Sequence, residues 1–272
     1  MLGSGYTTFL KDKAAKLIDV ELEENPLANP FERTIAAAGD IKLFLEHLTV
    51  ACKEHPWPSN QERLASLERL RGEFEQQLED TYHPNASPIH PGYIMKVLRE
   101  CLERDAIITT DSGTNHVALR RYMPMYTPNS SLGPDWFASM GCSLPYAMVS
   151  KLLFPNRQVV CTVGDAGFLM SYADFPTAVS ESLNIVVLVE NNGGLGAIHM
   201  LQEARFGGRT FATDIQVPDL AAYARACGAE GYRVEWPQEL CEVLKQALAC
   251  GRTALVDVNT ERNVPLPLWQ RV

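Results

Sequence analysis

Between residues 90 and 258 the sequence alternates between helical periodicity and short apolar runs, and this alternation constrains the fold most strongly. The run Ile185-Val186-Val187-Leu188-Val189 contains no polar residue, as expected for a strand that is covered on both faces. Such strands, separated by helices, are typical of a doubly wound α/β fold with a mostly parallel sheet and helices on both faces. We predict strands over 106–110, 158–163, 184–189, 232–234 and 254–258, and helices over 93–103, 143–153, 172–182, 195 onward, 220–227 and 238–249.

The remainder of the chain divides around this α/β domain, which we place at residues 90–262. Residues 1–55 predict a strand over 15–20 and a helix after Gly39-Asp40. One strand and one helix cannot enclose a core, so this segment is interpreted as a partial α/β domain that packs on something else. Residues 56–89 are predicted to be a linker and residues 263–272 a short C-terminal tail.

The linker contains a charged helix that is predicted to begin at Ser59, with Glu62 at the spacing of a capping box. Its apolar side chains form one stripe: Leu64, Leu67, Leu70, Phe74 and Leu78. This stripe predicts a connector helix along a domain surface, and the alternative is a partner-binding coiled coil, which would need more heptads.

Composition excludes several classes of function. The formal net charge of −9 provides no basic surplus for nucleic acid or for an anionic membrane. The longest clean apolar stretch is far too short to span a bilayer, and no secretory signal is visible at the N-terminus. The 7 cysteines are scattered without a C-x-x-C pair, which disfavours structural zinc and a disulfide framework and predicts a cytoplasmic protein.

Two neighbouring strand ends carry the residues most suited to chemistry. Gly164-Asp165-Ala166-Gly167 follows one predicted strand, and Asn191-Asn192-Gly193-Gly194 follows the next. Because parallel strands end at the same edge of a sheet, a carboxylate, a carboxamide oxygen and backbone carbonyls should converge there. Such oxygen ligands suit Mg²⁺, and the amides of the following helices suit phosphate. Either segment alone is more typical of an ordinary turn or loop, and only the two together, at consecutive strand ends, indicate a site.

The same segments resemble a known family. Gly164-Asp165-Ala166, followed one helix and one strand later by Asn191-Asn192, resembles the thiamine-diphosphate motif of the acetolactate synthase, pyruvate oxidase and benzoylformate decarboxylase superfamily. Residues 110–116 are similar to its first cofactor loop, residues 138–147 to its "TMGxGLPAA" segment, and residues 233–258 to its closing helix and strand. The resemblance makes residues 90–260 a diphosphate-binding domain and residues 1–50 the second half of the middle domain.

The resemblance implies a role for individual residues. Asp165 and Asn192 match side-chain ligands of Mg²⁺, and Gly194 matches a main-chain carbonyl ligand. Met140 matches the apolar wedge that keeps the cofactor folded, although a Met in this setting is also an ordinary core residue. The other implied cofactor-binding residues are Gly113 and His116 in the diphosphate loop, Ala138 through its carbonyl, and Gly164, Ala166 and Gly167 in the motif. His199, Glu203 and Arg205 on the following helix are predicted to face solvent.

The resemblance also implies an activity and an absence. Members of the family use thiamine diphosphate and Mg²⁺ to decarboxylate a 2-oxo acid and to release or transfer the acyl unit. They need an activating glutamate from a pyrimidine-binding domain, and no glutamate of this sequence matches it; Glu190 belongs to the wrong domain. The implied partners are therefore a small 2-oxo acid and a pyrimidine-binding domain or subunit from another chain, in a homo- or hetero-oligomer.

Three interpretations stay open at this point. The first is the cofactor-binding part of an acetolactate synthase-like lyase or transferase. The second is a catalytically inactive truncated fragment or cofactor-binding module. The third is an unrelated Mg²⁺-phosphate enzyme on a doubly wound sheet. The sequence identifies neither the 2-oxo acid and acceptor nor any use of FAD.

Overall fold

The computed structural model describes residues 18–22, 35–55, 60–134 and 137–264. The chain divides into two compact units, Met1–Arg71 and Gly72–Val272. The predicted domain boundaries at residues 55, 89 and 262 stay a prediction. The tail at 265–272 and the first three residues of the strand predicted over 15–20 lie outside the described residues. No helix among the described residues is both long and apolar enough to cross a membrane.

The described part of the first unit is small and open. Strands β1 (Ile18–Glu21) and β2 (Ile35–Ala38) pair in parallel, with Ile18 opposite Ile35. Helix α1 (Ile41–Glu54) follows, and the Asp40 carboxylate accepts a 3.1 Å hydrogen bond from the Leu43 amide as its N-cap. No residue of α1 is buried. This region therefore lacks a core of its own among the described residues.

Helix α2 (Gln61–Thr81) crosses the boundary between the two units. The Asn60 side chain accepts a 2.9 Å hydrogen bond from the Arg63 amide at its start, whereas the predicted cap Ser59 lies outside the described residues. Along the stripe predicted from the sequence, Leu64 is 51% exposed and Leu78 is 9% exposed. The C-terminal end of the helix is therefore anchored in the core of the second unit.

The second unit contains a six-stranded parallel sheet with the order β4-β3-β5-β6-β8-β7. The strands are β3 (Ile107–Thr110), β4 (Ser131–Leu132), β5 (Val159–Gly164), β6 (Val186–Asn191), β7 (Glu230–Val234) and β8 (Ala254–Asn259). The helices are α3 (Pro91–Cys101), α4 (Thr114–Tyr122), α5 (Ser143–Leu153), α6 (Asp165–Ser171), α7 (Phe175–Ser180), α8 (Gly196–Arg205), α9 (Leu220–Ala226) and α10 (Pro237–Ala249).

Two apolar cores lie on opposite faces of this sheet. One is formed with α3, α4, α10 and the end of α2, and it contains Leu98, Leu119 and Leu244. The other is formed with α5, α6, α7 and α9, and it contains Leu144 and Phe168. Along β6 the side chains alternate between the two, with Leu188 in the first core and Val189 in the second. The predicted doubly wound fold is confirmed.

The structure corrects two parts of the element prediction. The helix predicted over 172–182 is wrong as a continuous element: a 3₁₀ turn (Tyr172–Asp174) separates α6 from α7. Pro176 in the first turn of α7 has no amide hydrogen to continue a helix that arrives from the preceding turn. Helix α4 and strands β2 and β4 were not predicted, because α4 has 9 residues of which few are apolar, and the two strands have 4 and 2 residues.

Candidate cofactor site

Three helices begin at the carboxyl edge of the sheet, where ligands bind in doubly wound folds. Helix α4 follows β3, α6 follows β5 directly, and α8 follows the loop after β6. None of these helices has a side-chain hydrogen bond at its N-cap residue, which is Gly113, Gly164 and Leu195 respectively. Apart from the Ala166 amide, which the Asp165 side chain binds, no side-chain cap is recorded among the described residues for their first-turn amides, an arrangement that suits an anion.

Asp165 joins the two segments that the sequence singled out. It is 1% exposed, and its Oδ2 accepts from the amides of Asn192 (3.0 Å), Gly193 (2.7 Å) and Gly194 (3.1 Å). Its Oδ1 accepts from the Ala166 amide at 2.6 Å. Burial raises the pKa of Asp165, and these four amide hydrogen bonds oppose that rise. The carboxylate thus holds the loop after β6 against the start of α6.

Asn192 and Gly194 lie in this loop. The Asn192 Oδ1 is buried and has no hydrogen-bond partner among the described residues. The Gly194 carbonyl accepts from the Gly196 amide at 3.1 Å. A Cβ at Gly194 would collide with the Thr213 carbonyl and with the Arg262 guanidinium, so only glycine fits this position. The loop therefore presents one unsatisfied carboxamide oxygen beside a closely packed backbone.

Arg262 supports the loop from the other side. Its Nε donates to the Asn192 carbonyl at 3.0 Å, and its guanidinium also contacts the Gly193 carbonyl and the Asp214 carboxylate. Nothing in the sequence indicates this role, because Arg262 follows the last strand in a polar segment far from both motifs. The guanidinium fixes two carbonyls whose amides are already held by Asp165.

A second aspartate organises the region before α5. Asp111 is fully buried at the end of β3, and it accepts from the amides of Gly141 (2.6 Å) and Cys142 (2.9 Å). The Cys142 thiol also donates to it at 3.1 Å, and burial together with Asp111 raises the pKa of that thiol to about 12. Asp111 therefore fixes the segment that carries Met140. Sequence reasoning missed it, although an acidic residue directly after a buried strand is a usable signal.

Gly167 connects the two aspartates. A Cβ at Gly167 would collide with the Asp111 Oδ2 and would lie 3.1 Å from the Val163 Cγ2. The small residue at this position lets α6, which begins at Asp165, pack directly against the Asp111 carboxylate. Ala166, which lies between Asp165 and Gly167, is 6% exposed and is accommodated in the core.

The predicted diphosphate loop lies at the start of α4. Gly113 has φ +151°, a conformation that favours glycine. Asn115 donates through Nδ2 to the Thr110 Oγ1 at 3.1 Å, and its Oδ1 lies 3.9 Å from the point that a Cβ on Gly164 would occupy. The His116 ring lies beside Gly133, whose added Cβ would be 3.4 Å from the His116 Cε1. The loop and the aspartate motif thus meet at one edge.

The segment around Met140 reaches the same place. The Ser139 carbonyl accepts from the Ser112 amide at 3.2 Å, which joins this segment to the predicted diphosphate loop. Met140 is half-buried, and Ala138 is exposed with φ +53°, an uncommon value for a residue with a Cβ. The structure therefore gathers the predicted metal ligands into one cluster and places the loops of the other predicted residues beside it.

Two further titratable residues lie near this edge, and one of them differs from expectation. The His199 side chain is 14% exposed; its Nδ1 contacts the Thr213 Oγ1 at 3.0 Å and its Nε2 the Glu203 Oε1 at 3.4 Å. The prediction that His199 faces solvent is wrong, because the loop before α9 covers it. Glu190 is 1% exposed between Gly164 and Val258 in the sheet, and burial raises its pKa to about 8.

A cavity of about 560 Å³ opens beyond β6, β7 and β8, away from α4. Its charged residues largely neutralise one another, since Arg233 pairs with both Asp257 and Glu235. Because these groups already have partners and the cavity meets the predicted site only at Asn191 and Gly193, we place the cofactor site at the Asp165 cluster instead. No group of three or more His, Cys, Asp or Glu side chains suited to a metal occurs among the described residues.

The fold defines a doubly wound α/β domain, and domains of this class bind ligands at the carboxyl ends of their strands. Comparison with known families identifies the class of domain more specifically. Residues 111–258, more than half of the chain, match the family described as "Thiamine pyrophosphate enzyme, C-terminal TPP binding domain". The chain belongs to this family, and its described fold is that of the thiamine pyrophosphate-binding domain.

Individual relatives agree with the family. The chain is 36% identical over 181 residues to a putative thiamine pyrophosphate-containing protein, YdaP, of Bacillus subtilis. It is 30% identical over 229 residues to the acetolactate synthase of the same organism and 25% identical over 254 residues to a probable acetolactate synthase large subunit of Methanococcus aeolicus. The matches cover 66%, 84% and 89% of this chain but 31%, 40% and 42% of those proteins, respectively. The chain thus spans less than half the length of these relatives.

Proposed function

We propose that this chain binds thiamine diphosphate through Mg²⁺ and forms the cofactor-binding part of an acetolactate synthase-like enzyme that decarboxylates a 2-oxo acid. When bound, the cofactor supplies a carbon nucleophile for the substrate carbonyl and an electron sink for loss of CO₂. The observation that carries the proposal is the arrangement of Asp165 and the loop 192–194, in which the buried Asn192 Oδ1 has no partner.

The donor set of this loop fits a hard divalent cation. Asp165 provides a carboxylate, Asn192 a buried carboxamide oxygen and Gly194 a main-chain carbonyl. Among the described residues the Asp165 carboxylate is balanced by backbone amides, not by a Lys or Arg side chain. A cation here would offset the desolvation that raises the pKa of Asp165 and would supply the unsatisfied Asn192 oxygen with a partner. These features support Asp165, Asn192 and Gly194 as the Mg²⁺ ligands.

The remaining residues suit the cofactor itself. The uncapped start of α4, with Gly113 and His116, offers amides to a diphosphate. Gly164, Ala166 and Gly167 keep the start of α6 close to the Asp111 segment, which leaves the edge free of bulky side chains. Met140 and the Ala138 carbonyl are assigned to the folded cofactor by their positions in the motif. Asp111 acts as a positioning residue, because it holds the backbone that follows Met140.

The proposal requires a pyrimidine-binding domain with an activating glutamate from outside the described residues. Helix α5 supports an interface with such a partner, since its Val149, Leu152 and Leu153 are 53%, 61% and 68% exposed. These side chains form an apolar surface on the outer face of a helix that begins directly after Cys142, at the end of the Met140 segment. We propose a homo- or hetero-oligomer in which this surface is covered. The cytoplasmic location stays a prediction.

A second candidate is a cofactor-binding module without activity, which is favoured by the observation that no glutamate of this sequence matches the family's activating residue. The two functions share the site and differ in turnover. An unrelated Mg²⁺-phosphate enzyme is excluded by the family match.

Calorimetry of the full chain with thiamine diphosphate tests the site. We expect binding with Mg²⁺ that is lost in chelator, and an affinity at least about tenfold lower in Asp165→Ala. Asp219→Ala is the matched control. Asp219 also accepts an amide hydrogen bond at a helix start, from Ala222, but it is not one of the predicted cofactor or metal residues. Mg²⁺-dependent binding that is unchanged in Asp165→Ala would remove Asp165 as a ligand.

Release of CO₂ from pyruvate tests whether activity requires a glutamate from a pyrimidine-binding partner. With cofactor and Mg²⁺ we expect no turnover by the chain alone, and turnover after addition of a pyrimidine-binding partner. Turnover by the chain alone would overturn the requirement for an external glutamate. Binding without turnover in the presence of such a partner would instead favour the inactive module.

A further inference from the structure

Two cysteines far apart in the sequence meet on one face of the sheet. Cys101 ends α3 and Cys241 lies in α10, and these two helices pack beside each other. The two Sγ atoms are 3.9 Å apart across a sequence separation of 140 residues. Both thiols are free and half-buried against the first core. The pair is independent of the cofactor site, which lies at the carboxyl edge of the sheet.

The surroundings of the two thiols differ. Lys245 lies one helical turn after Cys241, and its pKa is raised, chiefly by hydrogen bonding to the Cys241 side chain. Burial, followed by the neighbouring Cys241, raises the pKa of Cys101 to about 11. Cys241 and Lys245 are four residues apart in α10 and therefore share one face of the helix. An ammonium there stabilises negative charge that develops on the Cys241 sulfur, so Cys241 is suited to attack an oxidant and Cys101 to react second.

We propose that Cys101 and Cys241 form a modification site, at which a low-molecular-weight disulfide oxidises the pair to a reversible disulfide. The Cys241 thiolate attacks one sulfur of the oxidant and forms a mixed disulfide, and the first small thiolate leaves. Cys101 then loses its proton and attacks the Cys241 sulfur, and the second small thiolate leaves. The two protein thiols lose two electrons and two protons in total, and the oxidant becomes two small thiols.

The other cysteines of the second unit are poorly placed for this reaction. The Cys142 thiol donates to Asp111 and Cys161 is fully buried. Cys227 packs against the second core, on the other face of the sheet, and the Cys250 thiol contacts the carbonyls of Ala247 and Arg252. Because a Cys101–Cys241 link would join α3 to α10 across a long stretch of chain, it should restrict the unfolded state strongly.

Peptide mapping of the full chain after treatment with glutathione disulfide tests the site. We expect a cross-linked Cys101–Cys241 peptide that has lost two hydrogens, and a midpoint of thermal unfolding raised on the order of 5 °C. Both effects should be reversed by a reductant and absent from Cys101→Ala and Cys241→Ala. Cys250→Ala is the matched control and should retain them.

The order of attack has its own measurement. In Cys101→Ala, glutathione should accumulate on Cys241, whereas in Cys241→Ala modification of Cys101 should be at least about tenfold slower. The proposal would be overturned if peptide mapping of the oxidised wild type found Cys101 and Cys241 without a disulfide between them, although other thiols had been oxidised. This readout needs no variant and therefore does not depend on how the variants fold.

Discussion

Asp111 and Asp165 are two buried aspartates at the ends of adjacent strands, and each binds backbone amides from a distant loop. Asp111 holds Gly141 and Cys142, whereas Asp165 holds the loop 192–194. Beside Asp165, however, the Asn192 Oδ1 is buried without a partner among the described residues. The same type of hydrogen bonding therefore has two consequences. Around Asp111 it fixes the segment that carries Met140, whereas around Asp165 it holds the loop 192–194, in which the Asn192 oxygen can still accept a bond.

The largest effect is expected for Asp111→Ala. The substitution leaves two partly buried amides without an acceptor and removes a fully buried carboxylate, and we expect a loss of about 3 kcal/mol or more in the free energy of unfolding. Urea denaturation without ligand measures it. A loss below about 1 kcal/mol would mean that the hydrogen bonds of Asp111 to Gly141 and Cys142 do not stabilise the fold.

Gly167→Ala should have the next largest effect, because its Cβ would collide with the Asp111 carboxylate. We expect a loss of about 2–3 kcal/mol, measured in the same denaturation series. Gly251→Ala provides a comparison, since that glycine has open space around it and only its φ of +74° opposes a side chain. Because Gly167 lies in α6 without a positive φ, a loss below about 1 kcal/mol at Gly167 would instead show that the Asp111 carboxylate moves aside for a Cβ.

His90 extends the comparison to a neutral acceptor. Its Nδ1 accepts from the Gly92 amide at 3.0 Å, and burial, followed by His83, lowers its pKa from 6.5 to about 4. The stabilisation is fully present above pH 6.5 and is lost as the pH falls toward 4, because the unfolded chain takes up the proton first. We expect wild type to lose on the order of 2 kcal/mol over this range relative to His90→Asn, which keeps an N-cap acceptor.

Denaturation at several pH values gives the measurement for His90. A parallel pH dependence in wild type and His90→Asn would assign the loss to other groups, such as the carboxylates.

Asn192→Ala should have the smallest effect on folding and a selective effect on binding. Its Oδ1 has no partner to lose, so we expect a change within about 1 kcal/mol in the free energy of unfolding. The affinity for thiamine diphosphate with Mg²⁺ should fall at least about tenfold, or about 1.4 kcal/mol. Calorimetry beside denaturation separates the two. An unchanged affinity would show that the Asn192 oxygen beside Asp165 does not bind the metal, and the Asp165 loop would then be structural in the same way as the Asp111 segment.

Much of this fold could be predicted from the sequence alone. Continuous apolar runs such as 185–189 identify strands buried on both faces, because only such positions exclude polar residues throughout. Helix α5 was predicted with its observed bounds, Ser143–Leu153. The break between α6 and α7 and the existence of α4 were missed, since short helices carry little periodic signal. The family match agrees with the motif at Asp165 and Asn192.

The sequence by itself determined the fold class, the family and the two strand-end segments, because these depend on local composition and spacing. Only the tertiary structure decided which atoms meet. It placed the Asp111 carboxylate against Gly167, Arg262 behind the loop 192–194, and the Cys101 and Cys241 thiols at 3.9 Å. These contacts join residues from 56 to 140 positions apart in the chain, and no local pattern records them. Packing of strands and helices sets such distances, so they follow from the fold as a whole.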